Sequence, residues 1–211
     1  MSTVQLPSSS PFRLPLPPVV ATDLASISVE QYHHMVKNGS LGPDDKIELL
    51  DGILVHKMPV NPEHTVLCDT IRDRLTSLLP AGWCSRGEAP LSLDTSVPEP
   101  DIAIVRGIKI DYRKRHPNVD EVAFLVEVSE SSLARDRKWK LGIYARNSIS
   151  AYWIVNLIDR TVEVHTDPTG PCERPSYRSS RVLTMSESVE LVIAGTAIAT
   201  IAVADLILED A

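Results

Sequence analysis

The chain has 211 residues, 43% hydrophobic and 23% charged, the size and mix of one ordinary domain whose core needs no disulfide or metal. Its 21 Lys/Arg against 28 Asp/Glu leave a net charge of −7, which argues against a coat-type nucleic-acid binder, normally basic overall. Cys68, Cys84 and Cys172 are far apart with no Cys-x-x-Cys pair, which argues against a disulfide framework or a cysteine zinc site and favours a reducing, cytoplasmic compartment.

Residues 1–24 are rich in Pro and Ser and read as a disordered or extended tail, with residues 25–211 as one domain. Ser28-Val29-Glu30-Gln31 is a capping box ahead of a short helix. Two apolar runs flank Asp51-Gly52, a two-residue hairpin signal. Asn61-Pro62 opens a second helix along which Leu67, Ile71, Leu75 and Leu78 recur at helical spacing. Short strands are expected at Ala89–Leu93, 101–105 and Val122–Val128, the last two being nearly continuous apolar runs. A third helix spans Ser132–Arg146, and Ala151–Val155 pairs with Thr161–His165. Thr166–Arg181 reads as a loop. Leu191–Ala204 is too short to span a membrane and reads as a buried strand followed by a terminal helix. The sum is α/β: a mixed sheet flanked by helices.

Two acids stand inside the apolar runs. Asp101 opens PDIAIV and Glu127 nearly ends VAFLVEV. Buried carboxylates on neighbouring strands repel each other unless something compensates them, and a divalent ion does so. Oxygen ligands point to Mg²⁺ or Mn²⁺; strand capping or an arginine partner would serve the acids equally well. Lys140 lies on the following helix, where it could orient a water nucleophile or stabilise a phosphorane-like charge, or simply pair with Asp136 on the surface. Glu48, in an alternating strand, reads as facing solvent, and His64 as a first-turn helix residue. His33 and His34 point in different directions, so a shared metal site there is implausible. From Asp101 to Arg146 ten Lys/Arg face seven Asp/Glu, a local +3, while the remaining 11 bases and 21 acids carry −10. A basic stretch beside the metal acids suits a phosphodiester; a solvated basic loop is the competing reading.

Several segments, in order, resemble the Uma-type restriction endonuclease family of the restriction-endonuclease-like PD-(D/E)XK superfamily: Glu48-Leu-Leu-Asp-Gly, Asn61-Pro-Glu-His64, Val97-Pro-Glu-Pro-Asp101-Ile-Ala-Ile-Val, Leu125-Val-Glu127-Val-Ser-Glu-Ser-Ser, Asp136-Arg-Lys-Trp-Lys140 and Tyr152-Trp-Ile-Val. The resemblance spans about Ile27 to Ile207. It implies a Mg²⁺-dependent nuclease (Mn²⁺ also serving) with Asp101 as the PD acid and Glu127 as the acid of (D/E)-x-K. The Val128 carbonyl would be a further metal ligand. Ser129 stands where that motif has its lysine, and Lys140 matches a lysine moved to the next helix. Glu48 matches a further acidic position. His64 matches a frequent helix-start histidine, and with Arg113, Lys114 and Arg115 is a candidate for substrate binding. The usual Gly-Val-Pro-Glu-Tyr-Trp reads Ser148-Ile-Ser-Ala-Tyr-Trp here, and Asn156 replaces a frequent acid.

The expected activity is hydrolysis of nucleic acid, DNA first, by a cytoplasmic homodimer with no membrane partner. The competing class is a catalytically silent nucleic-acid-binding or regulatory module on the same fold; a phosphoesterase acting on something smaller is a third.

Overall fold

A computed structural model describes residues 25–59 and 61–207; the expected tail lies outside them. Helix α1 (Val29–Lys37) starts at Ser28, whose hydroxyl accepts the Gln31 N–H while the Gln31 side chain accepts the Ser28 N–H. Strands β1 (Ile47–Leu50) and β2 (Ile53–His56) pair antiparallel around Asp51-Gly52. Both turn residues have positive φ, 48° and 76°, as a two-residue turn matched to strand twist requires. The turn is also crowded: a Cβ on Gly52 would sit 2.7 Å from the Ser26 Cβ. Helix α2 (Pro62–Leu78) begins where Asn61 accepts the His64 N–H at 2.8 Å.

The central sheet has six strands: β3 (Trp83–Gly87), β4 (Ile102–Arg106), β5 (Val122–Ser129), β6 (Ala151–Asn156), β7 (Thr161–Pro168) and β8 (Tyr177–Leu183), in that spatial order. Only β5 and β6 are parallel. Their crossover carries α3 (Leu133–Arg135), a π-helical turn (Asp136–Lys140) and α4 (Leu141–Arg146) in unbroken succession. A separate hairpin, β9 (Ser188–Ile193) and β10 (Thr196–Ala202), completes the described residues.

Period-2 alternation sorts the sheet into two faces. Ile102, Ile104, Phe124, Val126, Val128 and Trp153 face α2 and the β9–β10 hairpin. Ala103, Val105, Leu125, Tyr152 and Ile154 face α4 and the loop carrying Leu91 and Leu93. Glu127 shares parity with Leu125, so it faces α4. Trp139 and Arg146 both donate to the Asp51 carboxylate, fixing the crossover helix to the β1–β2 turn and bringing β1 over this second face.

Four expectations require correction. Ala89–Leu93 is not a strand: Pro90 removes a ladder donor, and the segment bonds locally, Leu91 N–H to Pro98 O and Leu93 N–H to Ser96 O. The edge strand is β3 instead. Thr166–Arg181 is not all loop, because β7 continues to Pro168 and β8 starts at Tyr177. β8 is the sheet's outer strand with five exposed central residues, so its polarity reflects its edge position. Leu191–Ala204 forms parts of two strands around Ala194-Gly195, both with positive φ, and no terminal helix. The third helix contains the π turn rather than one regular α-helix. No helix among the described residues is long and apolar enough to cross a membrane.

Candidate active site

The site forms where β4 begins and β5 ends. In the antiparallel register Ile102 faces Val126, so Pro100 would stand opposite Val128, and Pro has no N–H for the ladder. Asp101 takes over that bond: its Oδ2 accepts the Val128 N–H at 2.7 Å. The same oxygen lies 3.4 Å from His64 Nε2, which the first turn of α2 delivers from the opposite face. Burial works against a charge on His64, but Asp101 and the Val128 carbonyl overcome it and raise the imidazole above its ordinary pKa.

Glu127, 4% exposed, accepts from Lys140 Nζ at 2.8 Å and from the Tyr144 hydroxyl at 2.9 Å, both on Oε1. Lys140 Nζ also lies 3.5 Å from Glu48 Oε2. Burial alone would deprotonate Lys140, but Glu127 and Glu48 outweigh it and hold the ammonium charged well above its ordinary range. Glu48 is 2% exposed and accepts from the Glu99 N–H and from Arg135, whose guanidinium also donates to the His56 carbonyl. The expectation that Glu48 faces solvent is therefore overturned: the crossover helix covers the strand face that an isolated hairpin would leave wet. The surface Asp136–Lys140 pair is likewise corrected. Both residues are buried, and Asp136 accepts from Ser129 Oγ at 2.7 Å.

The two key carboxylates are unevenly occupied. All their bonds fall on Oδ2 of Asp101 and Oε1 of Glu127, so Oδ1 and Oε2 have no hydrogen-bond partner among the described residues. Asp136 Oδ1 is fully buried with no partner. A cleft with about 70 Å³ of room joins these groups. Six carboxylates line it (Glu48, Glu99, Asp101, Glu127, Glu130 and Asp136) against three permanent cations (Lys57, Arg135 and Lys140), an excess of three negative charges with His64 neutral. Burial, with Asp101 adding repulsion, pushes the Glu127 carboxyl well above its usual range despite Lys140. Orphaned hard oxygens with surplus negative charge are what a divalent cation would satisfy, so these residues fit Mg²⁺.

Glu48, His64, Asp101, Glu127, Val128 and Lys140 thus line one cleft. Arg113, Lys114 and Arg115 do not. They are exposed and follow the far end of β4, about 16 Å along the strand from Asp101; Arg115 is also held two-pronged by Glu121 at 2.6 and 2.7 Å. The cations nearest the acids are ones not singled out from sequence. A groove of about 580 Å³ adjoins the cleft, shares Asp101, Glu99, Lys57 and Met58 with it, and adds Lys46. Asp136, Arg135 and Tyr144 were also missed as site groups. The available signal was helical spacing from Lys140, which the π turn disguises.

Residues 29–202 match the sequence model of the Uma2 family, described as "Putative restriction endonuclease". No curated protein matches the chain. A crystal structure from Anabaena variabilis, of "a putative nuclease belonging to DUF820", superposes with a TM-score of 0.63 at 12% identity, covering 86% of this chain and 97% of that one. At that identity the likeness shows the fold, and it agrees with a restriction-endonuclease-like mixed sheet flanked by helices. With the match extending from α1 to the last strand, the chain belongs to the Uma2 family.

Proposed function

We propose that the protein is a Mg²⁺-dependent endonuclease that hydrolyses phosphodiester bonds of DNA, with Mn²⁺ as an alternative ion. One observation carries this reading: Asp101 and Glu127 open onto the same cleft from adjacent strand ends, each with one oxygen free of hydrogen bonds, and Lys140 is held on Glu127. Asp101, Glu127 and the Val128 carbonyl would hold the ion. When bound, Mg²⁺ supplies polarisation of a phosphoryl oxygen and a lowered pKa for a nearby water.

The protein's own groups do the rest. Asp101 is aimed by the Val128 N–H, and Glu127 by Lys140 and the Tyr144 hydroxyl. Because Lys140 stays an ammonium, it is no general base; it is a donor that orients the attacking water and opposes charge growing on the phosphate. Glu48 holds that ammonium from its other side. Lys46 and Lys57 line the groove leading to Asp101, a path for the phosphate backbone. A cytoplasmic homodimer would present one such cleft to each strand of a duplex.

The test is cleavage of supercoiled plasmid by purified protein with Mg²⁺, Mn²⁺ or EDTA, with Asp101→Asn and Lys140→Met alongside. The reading expects nicked and linear product only with metal and wild-type protein. Cleavage by Asp101→Asn at the wild-type rate, or in EDTA, overturns it. Tight DNA binding without cleavage under any metal favours a silent binding module.

A further inference from the structure

On the inner side of Asp101 a different set of donors converges. His64 and Cys68 lie one helical turn apart on the buried face of α2. Cys68 Sγ is 3.5 Å from His64 Nδ1 and 3.8 Å from Nε2, and Nε2 is 3.4 Å from Asp101 Oδ2. One donor atom from each of the three residues falls within 4.8 Å of the others. Tetrahedral zinc with bonds of about 2.0–2.3 Å sets its nitrogen and sulfur ligands about 3.5 Å apart, and its nitrogen and oxygen ligands about 3.3 Å apart. The observed spacings need only sub-ångström adjustment. No Cys-x-x-Cys motif announces such a site, because the sulfur ligand comes from a His-x-x-x-Cys helical turn and the oxygen from a strand 33 residues on.

We propose that His64, Cys68 and Asp101 form a soft-metal site that takes Zn²⁺ through one nitrogen, one sulfur and one oxygen. Imidazole and thiolate select zinc over magnesium, whereas the oxygens on the Glu127 side select the reverse. On binding, the Cys68 thiol transfers its proton to solvent and the sulfur enters as thiolate. His64 and Asp101 line the open cleft while Cys68 lies behind them against Leu67 and Ile71, so the ion enters from the cleft and its fourth position faces solvent.

Asp101 belongs to both sites, so zinc held by His64 and Cys68 competes with magnesium for it. That consequence rests on the nuclease reading; zinc binding itself does not. The nuclease would then be restrained by zinc at concentrations far below those of the magnesium that activates it.

The experiment is titration of metal-free protein with Co²⁺ as a spectroscopic stand-in for zinc, followed by displacement with Zn²⁺. The expected result is a sulfur-to-cobalt charge-transfer band in the near ultraviolet at one equivalent, bleached by zinc, and cobalt binding at least tenfold weaker in Cys68→Ala. A Cys84→Ser/Cys172→Ser protein, whose remaining cysteine is Cys68, keeps the band and serves if Cys68→Ala folds poorly. No thiolate band in wild type, or a band lost with Cys84 and Cys172 instead, overturns the site. In the plasmid assay zinc slows Mg²⁺-dependent cleavage, and Cys68→Ala is at least tenfold less sensitive. If cobalt binds as expected but no plasmid is cut, the nuclease reading fails and the metal site stands.

Discussion

Replacing Lys140 with methionine removes the ammonium and keeps most of the aliphatic stem, so packing around Leu141 and Tyr144 is largely spared. What remains is Glu127, 4% exposed, with the Tyr144 hydroxyl as its one neutral donor, and Glu48 with Arg135. Removing one partner of a buried ion pair costs about 3–5 kcal/mol, because the other charge is left uncompensated. For a chain of this length that corresponds to a fall in melting temperature of roughly 6–20 °C. An exposed helix pair with Asp136 would cost only about 0.3–0.5 kcal/mol, so the two placements of Lys140 differ by nearly an order of magnitude.

The cost depends on pH with a definite sign. In Lys140→Met, Glu127 escapes by taking a proton, so its folded pKa lies above its unfolded one. The folded state then binds more protons, and stability falls by up to about 1.4 kcal/mol per pH unit between those two values. Urea unfolding in EDTA, followed by circular dichroism at pH 5 and pH 8, measures this. The larger loss belongs at pH 8, and the double variant Glu127→Gln/Lys140→Met recovers part of it. A loss under about 1 kcal/mol at both pH values, with the double variant merely additive, refutes the buried pair.

Further expectations are independent of that pair. Mg²⁺ at a hundred times its dissociation constant stabilises wild type by about 2.7 kcal/mol, and Asp101→Asn loses most of that gain in a thermal melt; an equal gain in both proteins rejects Asp101 as a ligand. Neutralising Arg113 and Lys114, both exposed and beyond the far end of β4, lowers the log–log salt slope of DNA binding by about 0.9 for each phosphate that is no longer neutralised, whereas Arg115→Gln changes it less because Glu121 already holds that guanidinium. Glu163 provides an acid-stability marker. Burial opposes its charge, but His165 and the two-pronged Arg137 guanidinium overcome this and pull its carboxyl from 4.5 down to about 2. It therefore stabilises the fold above pH 4.5, and that contribution is lost as pH falls toward 2. Glu163→Gln is less stable than wild type at pH 7, and the difference vanishes near pH 2; a constant difference across that range contradicts the shift.

Local chemistry was legible and tertiary cover was not. The Ser28 capping box, the Asn61 cap and the Asp51-Gly52 turn are set by residues within three positions of one another, so sequence alone finds them. The acids Asp101 and Glu127 were legible because a carboxylate in an apolar run is costly wherever the run lies. Glu48 was misread because alternation gives the face of a strand but not what packs on it. β3, read Trp-Cys-Ser-Arg-Gly, carries no apolar alternation and is a strand only because β4 supplies the ladder. Thr196–Ala202, rich in alanine, takes strand form through its pairing with β9, a non-local bond that overrides helix propensity.

The displacement of the lysine from strand to helix has a structural basis in the same residues. In (D/E)-x-K the lysine sits two positions after the acid, on the same strand face. Here Ser129 holds that position, fully buried, and its hydroxyl donates to Asp136. Asp136 is the first residue of the π turn and Lys140 the last. The extra residue in a π turn rotates the downstream helix about its axis relative to the upstream one, and such turns recur at functional sites. It leaves Asp136 and Lys140 both facing inward, with Tyr144 behind them on Glu127. A serine is small enough for the helix to approach the strand and polar enough to anchor it, so the position that would have carried the lysine instead docks the segment that delivers it. The placement of Lys140 against Glu127 therefore depends on Ser129 and Asp136 as much as on Lys140 itself.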